Sequence, residues 1–267
     1  MGKFRAIIIA AIAFTALNFA NLNLASATLS ARRQKSSPAA LYIHAAQQTL
    51  VASGHYSKKG PVVWEKGAFK DAAWDRVPAI SETDLQTSFE LGRDEKAFDD
   101  TDASHKARRR ATWLYPDDGC FVRAVIADDI IKKTLAVTTA KIFAFGNLRV
   151  KTENSPWGDV KWWYHVASIA KVTTKTGDKF YVYDPALDLK KPTEVHDWLK
   201  QMNDPNAEIA VCSGDAYDPN SDCAAGQANV YARAQTEATW YLQSEWDRLI
   251  ELKRDPVREL GDFPPWL

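Results

Sequence analysis

Apolar residues recur at two spacings along this chain, and the two spacings predict its elements. Val122, Val125, Ile126 and Ile130 fall at the i, i+3, i+4 and i+8 intervals of one helix face, so FVRAVIADDIIKK predicts a helix that Cys120 opens. After it, TLAVTTAKIFAFGNLRVKT alternates through Ile142, Ala144, Gly146 and Leu148, the period of a half-buried strand. A turn at Ser155, Pro156 and Gly158 leads into WWYHVASIAKVTT, and KFYVYDPAL follows as its hairpin partner across Lys175 to Asp178. Helices are predicted from Leu41 to Leu50, from Ser81 as N-cap to Gly92, over PTEVHDWLKQM with Val195, Trp198 and Leu199 inward, and through Trp246, Leu249 and Ile250 up to Pro256. RRRATWLYP reads as one further strand with its arginines on the solvated side, and FPPWL as an irregular tail. Helices beside antiparallel strands make the expected class α+β.

The N-terminus does not fit that pattern. Lys3 and Arg5 precede IIIAAIAFTALNFANLNLA, and Ala25, Ser26 and Ala27 supply the small-residue cleavage pattern of a secretory leader, so residues 1–27 are expected to be removed before Thr28. The organisation that follows is an N-terminal extension or pro-segment over 28–80, with a boundary at Pro78 to Ser81, and a catalytic domain over 81–267. The aromatics of GPVVWEKGAFKDAAWDRVPA, Trp64, Phe69 and Trp74, suggest that the extension packs on something. No other stretch is long and apolar enough to span a bilayer, so the mature protein is expected to be secreted or periplasmic, without stable membrane association. Thirty-four Lys and Arg balance thirty-four Asp and Glu, and losing Lys3 and Arg5 leaves the chain two charges to the acidic side. That balance argues against nucleic acid as a partner.

Three cysteines in an exported chain leave one unpaired. Cys212 and Cys223 flank SGDAYDPNSD, a turn-rich loop with little to bury, so a disulfide is expected there and Cys120 remains as the free thiol. At a helix start, unpaired N–H groups and the helix dipole favour a thiolate, the form that acts as nucleophile. His165 lies on one predicted strand and Asp184 at the end of its partner. Together with Cys120 they make the three parts of an activated cysteine nucleophile, the acid orienting the base. Trp162, Trp163 and Tyr164 flank the base and either wall a slot for an uncharged chain or belong to the core. His44, His55, His105 and His196 have no ligand-spaced neighbours, and neither metal nor cofactor is expected.

Several motifs, taken in order, resemble the bacterial protein-glutaminase (protein glutamine deamidase) family: DGCFVRA around Cys120, KIFAFGNL, WWYHV around His165, YDPAL around Asp184 and NVYARA from Asn229. The resemblance implies a papain-like or transglutaminase-like α+β fold, with the nucleophile at a helix N-terminus packed on an antiparallel sheet that carries His and Asp. It implies Cys120 as nucleophile, His165 as base and Asp184 as its orienter, a secreted and pro-segmented enzyme, and protein or peptide substrates bearing exposed glutamine. A monomer is expected. Val125 stands where the family has His, and Trp163 where it has a small residue, which bears on substrate preference. Residues 28–80 carry no pro-segment motif, so a covering role rests on position alone. A transglutaminase and a cysteine peptidase would use the same triad, although the CGSCW surround of papain-type peptidases is absent and Asp184 stands where they have Asn. A non-catalytic binding module is the remaining alternative.

Overall fold

A computed structural model describes residues 66–96, 98–99 and 108–261, all within the compact unit Gln47–Leu267. The leader, the Leu41 to Leu50 helix, His44, His55, His105 and FPPWL lie outside the described residues. In chain order the elements are α1 (Glu82–Asp94), β1 (Phe98–Asp99), β2 (Arg108–Arg109), α2 (Cys120–Leu135), β3 (Ala140–Lys151), β4 (Asp159–Thr174), β5 (Gly177–Tyr183), β6 (Thr193–Glu194), α3 (Val195–Gln201), β7 (Glu208–Cys212), α4 (Val230–Glu251) and α5 (Pro256–Leu260). Five strands form one antiparallel sheet in the order β6-β5-β4-β3-β7, and β1 pairs with β2 alone. The fold is α+β, as expected.

The helix signals give what their chemistry demands. Ser81 caps α1, its hydroxyl accepting the Asp84 N–H at 3.1 Å. Val122, Val125, Ile126 and Ile130 of α2 are buried against Ala234, Ala238 and Leu242 of α4. A second cluster lies where Ile142, Ala144 and Leu148 of β3 and Ala167 and Ile169 of β4 meet Val195 and Trp198 of α3. The alternation expected to run through Gly146 is broken there. The β3–β4 register shifts between Phe145 and Leu148, because Asp204 packs where a Gly146 side chain would stand and accepts the Asn147 N–H at 2.7 Å.

Two expectations need correcting. Only Arg108–Arg109 of RRRATWLYP is strand, and Arg109 is buried rather than solvated. The remainder is irregular but buried, because its polar groups find partners outside any ladder: the Trp113 indole donates to Arg93 O at 3.0 Å and the Leu114 N–H to Glu245 at 2.7 Å. Pro256 does more than stop a helix, since it begins α5 at the first helical position, behind Asp255 as N-cap.

Lys66 to Ile80 is a strap laid on the sheet. Gly67 exchanges two hydrogen bonds with Ile209 at the β7 edge, 3.0 and 2.9 Å. Trp74 packs between Phe69 and Phe180, with ring centroids 4.6 Å from each. Val77 is 1% exposed in the sheet's core cluster, and Pro78 and Ile80 hydrogen-bond to Lys171 of β4. The boundary expected at residue 80 therefore falls at the end of a packed segment.

Candidate active site

Cys120 is the first residue of α2, as the spacing predicted, and is 7% exposed. The loop before it is held from three directions. Arg123 reaches back one turn, donating to Tyr115 O at 2.8 Å and Asp118 O at 2.6 Å. Arg248 of α4 pairs with Asp117 and donates to Asn154 O at 2.8 Å. The Trp162 indole of β4 donates to Pro116 O at 3.0 Å. Gly119 has φ +76° beneath the Tyr241 ring, which a Cβ would meet at 3.1 Å. Glycine is what that left-handed turn accepts. No side chain caps the start of α2, so its first N–H groups and the positive end of its dipole face the thiol unshielded by a cap.

His165 and Asp184 come from neighbouring strands. The β4–β5 register pairs Ser168 with Tyr183, which brings Asp184 level with Ala167, two residues from His165 on the same face. His165 is fully buried, and its Nε2 lies 2.7 Å from Asp184 Oδ2. Trp162 stacks on the imidazole with centroids 4.3 Å apart and planes 12° apart. The Trp198 indole of α3 donates to Asp184 Oδ2 at 2.9 Å. Burial acts to lower the His165 pKa, but the charge and hydrogen bond of Asp184 outweigh it, and the Cys120 thiol adds as a side-chain partner, raising the group to about 9. Asp184 is shifted down: burial opposes this, and His165, Trp198 and Arg123 overcome it. With Nε2 engaged by Asp184, Nδ1 is the nitrogen left for the thiol. It makes no conventional hydrogen bond among the described residues, a looseness common before substrate binds. This arrangement can hold an imidazolium beside a thiol and keep its ring from turning.

The three aromatics before His165 separate into two settings. Trp162 is buried as the platform under the imidazole. Trp163 and Tyr164 are half-buried and pack with Phe143 and Phe145 on the cluster that contains Cys120. Cys212 and Cys223 form the expected disulfide, and His196 is exposed. Sequence reasoning missed Trp198 as a donor to the acid, Arg123 and Arg248 as clamps on the loop, and Tyr241 as its lid. Of these only Arg123, four residues into a helix from the loop it holds, carried a local signal.

A family model described as Glutaminase matches residues 86–202. Residues 86–202 are a glutaminase-family segment. This glutaminase-family segment contains Cys120, His165, Asp184 and Trp198, and ends before the disulfide and α4. No curated protein matches the chain. Among solved structures it is similar to a crystal structure of protein-glutaminase, with 22% identity and a TM-score of 0.48 over 61% of this chain and 88% of that one. It is similar to pro-protein-glutaminase at 20% identity and a TM-score of 0.47, over 61% and 60% of the two chains. The NMR structure of protein-glutaminase from Chryseobacterium proteolyticum gives 21% identity and a TM-score of 0.46, over 61% and 89%.

Proposed function

We propose that this protein deamidates glutamine side chains of protein or peptide substrates, releasing ammonia and leaving glutamate. The observation that carries the reading is the buried run from Asp184 through His165 to the Cys120 thiol at the start of α2, inside the glutaminase-family segment. His165 as imidazolium favours the thiolate beside it. The thiolate adds to the side-chain amide carbon, and the pair displaced onto oxygen meets the backbone N–H of Cys120 at the uncapped helix start. The pair returns, the C–N bond breaks, and nitrogen takes the Nδ1 proton of His165 and departs as ammonia, leaving a thioester. Water then gives a proton to Nδ1 as its oxygen attacks the thioester, and thiolate and glutamate part. Asp184 holds the ring through Nε2 throughout, and Trp198 holds Asp184. Trp163 and Tyr164 wall the approach to the thiol, whereas Trp162 supports the base from beneath.

The same reading places the protein outside the cytoplasm after loss of residues 1–27. The Cys212–Cys223 disulfide supports an oxidising compartment, and no helix among the described residues is long and apolar enough to cross a membrane. The test is incubation with a denatured protein substrate, reading ammonia, Gln-to-Glu conversion by mass spectrometry, chain length and cross-links together. Ammonia with Glu formation and intact chains is the expected result. Shortened chains would mean a peptidase, lysine cross-links a transglutaminase, and no change at all a binding module.

A further inference from the structure

Building on the deamidase reading, the remaining question at the site is how many donors meet the oxygen of the carboxamide under attack. The start of α2 supplies fewer than its geometry suggests, because the Gly119 N–H is already given to Asp118 Oδ1 at 2.7 Å. Of the N–H groups that α2 leaves without intrahelical partners, that of Cys120 belongs to the nucleophile itself, and a single donor there is weak support for a full negative charge. The side-chain donors nearby are Tyr241, Arg123 and Tyr164. The Tyr241 hydroxyl acts on the Asp118 carboxylate, favouring its charged form. Arg123 keeps an unpaired Nη2, but that atom is sealed from solvent.

Tyr164 differs from both. Two other phenols of the core have partners for their hydroxyls: Tyr183 with Ser88 at 2.9 Å and Tyr217 with Glu237 at 2.8 Å. The Tyr164 hydroxyl has none among the described residues, and it is not a sealed atom. Its ring cannot wander, being stacked near Phe143 and Phe145 with centroids 6.4 Å from each and edge-on to Trp163 at 4.4 Å. It packs on the cluster that holds Cys120. Burial, with the Cys120 and Asp118 charges nearby, raises its pKa well above the phenol range, so it remains an O–H donor wherever the enzyme works. A rigid, protonated, unpartnered hydroxyl packed on the cluster that contains the nucleophile is a donor in wait for an acceptor that arrives with substrate.

We infer that the Tyr164 hydroxyl is the second oxyanion donor, meeting the carboxamide oxygen from the side opposite the Cys120 N–H. As thiolate sulfur bonds to the amide carbon, the C=O π pair moves to oxygen, and both donors hold it without giving up a proton. The pair then returns as the C–N bond breaks and nitrogen takes the His165 proton. The test is Tyr164→Phe. The ring, its stacking and its cluster remain, and no hydrogen bond of the resting protein is lost, so the thermal midpoint and the rate of Cys120 alkylation by iodoacetamide should equal wild type. Turnover should fall about 100-fold with KM held within about twofold, the pattern of an interaction made in the transition state. Full turnover in Tyr164→Phe, or a raised KM with turnover kept, would overturn the inference and leave Tyr164 a wall of the slot. Wild-type protein assayed in parallel separates the two levels. If it releases no ammonia, the deamidase reading falls and this inference with it, whereas an active wild type beside an equally active variant removes this inference alone.

Discussion

Serine in place of Cys120 keeps a small polar group at the start of α2 and removes the thiolate, so Cys120→Ser should abolish ammonia release while leaving the thermal midpoint nearly unchanged. Retained activity in that variant would end the thiolate mechanism. His165 carries a pH prediction with a definite sign. Its pKa rises from about 6.5 in the unfolded chain to about 9 in the fold. The group therefore stabilises the fold fully below about pH 6.5, and that contribution is lost as pH climbs through about 9. The comparison to make is wild type against His165→Gln: the stability advantage of wild type should shrink between pH 6.5 and 9 in thermal melts. Ammonia release should fall over the upper part of the same range as the imidazolium is lost. At this scale much of the site could be read from sequence, because Cys120, His165 and Asp184 each sit at a fixed point of a periodic element. Trp198 could not, since its meeting with Asp184 depends on where α3 docks and not on any spacing within α3.

Among the elements, α4 does the most for a site it does not enter. Its Arg248 is 4% exposed and its partner Asp117 6%, a charge pair with almost no water to fall back on. Arg248→Met would remove the cation paired with the buried Asp117 carboxylate, at an expected loss of about 3 to 5 kcal/mol in denaturant unfolding. Pairing it with Asp117→Asn should recover much of that loss. Little or no loss in the single variant would mean that the pair is dispensable. These partners lie 131 residues apart in the chain, which is why periodicity found Trp246 and Leu249 on the buried face of α4, with Ile250 exposed against expectation, and nothing of the helix's role. RRRATWLYP misled for a related reason. Its residues from Ala111 to Tyr115 are all buried, but Glu245 takes the Leu114 N–H that a neighbouring strand would have taken.

For the molecule as a whole, the strap decides where the chain can be shortened. Val77 is in the core and Trp74 is wedged between Phe69 and Phe180, so a chain beginning at Ser81 loses buried apolar surface at about 25 cal/mol per Å², together with the Gly67–Ile209 pairing. Such a chain should be insoluble or strongly destabilised, whereas cleavage upstream of Lys66 should leave the melting profile of the sheet unchanged. A stable, soluble chain beginning at Ser81 would show the strap to be dispensable. The aromatic content of this stretch hinted at packing, but its exact docking could not be read, because 3-10 turns and edge bridges leave no period in sequence. The glutaminase-family segment has a similar dependence at its other end. It holds Cys120, His165 and Asp184, yet the loop before Cys120 is pinned by Glu245 and Arg248 and roofed by Tyr241, all beyond residue 202. Transplanting residues 86–202 into a foreign scaffold would therefore move the reactive groups without the parts that aim them. A chimera that is to remain active has to inherit the long C-terminal helix as well.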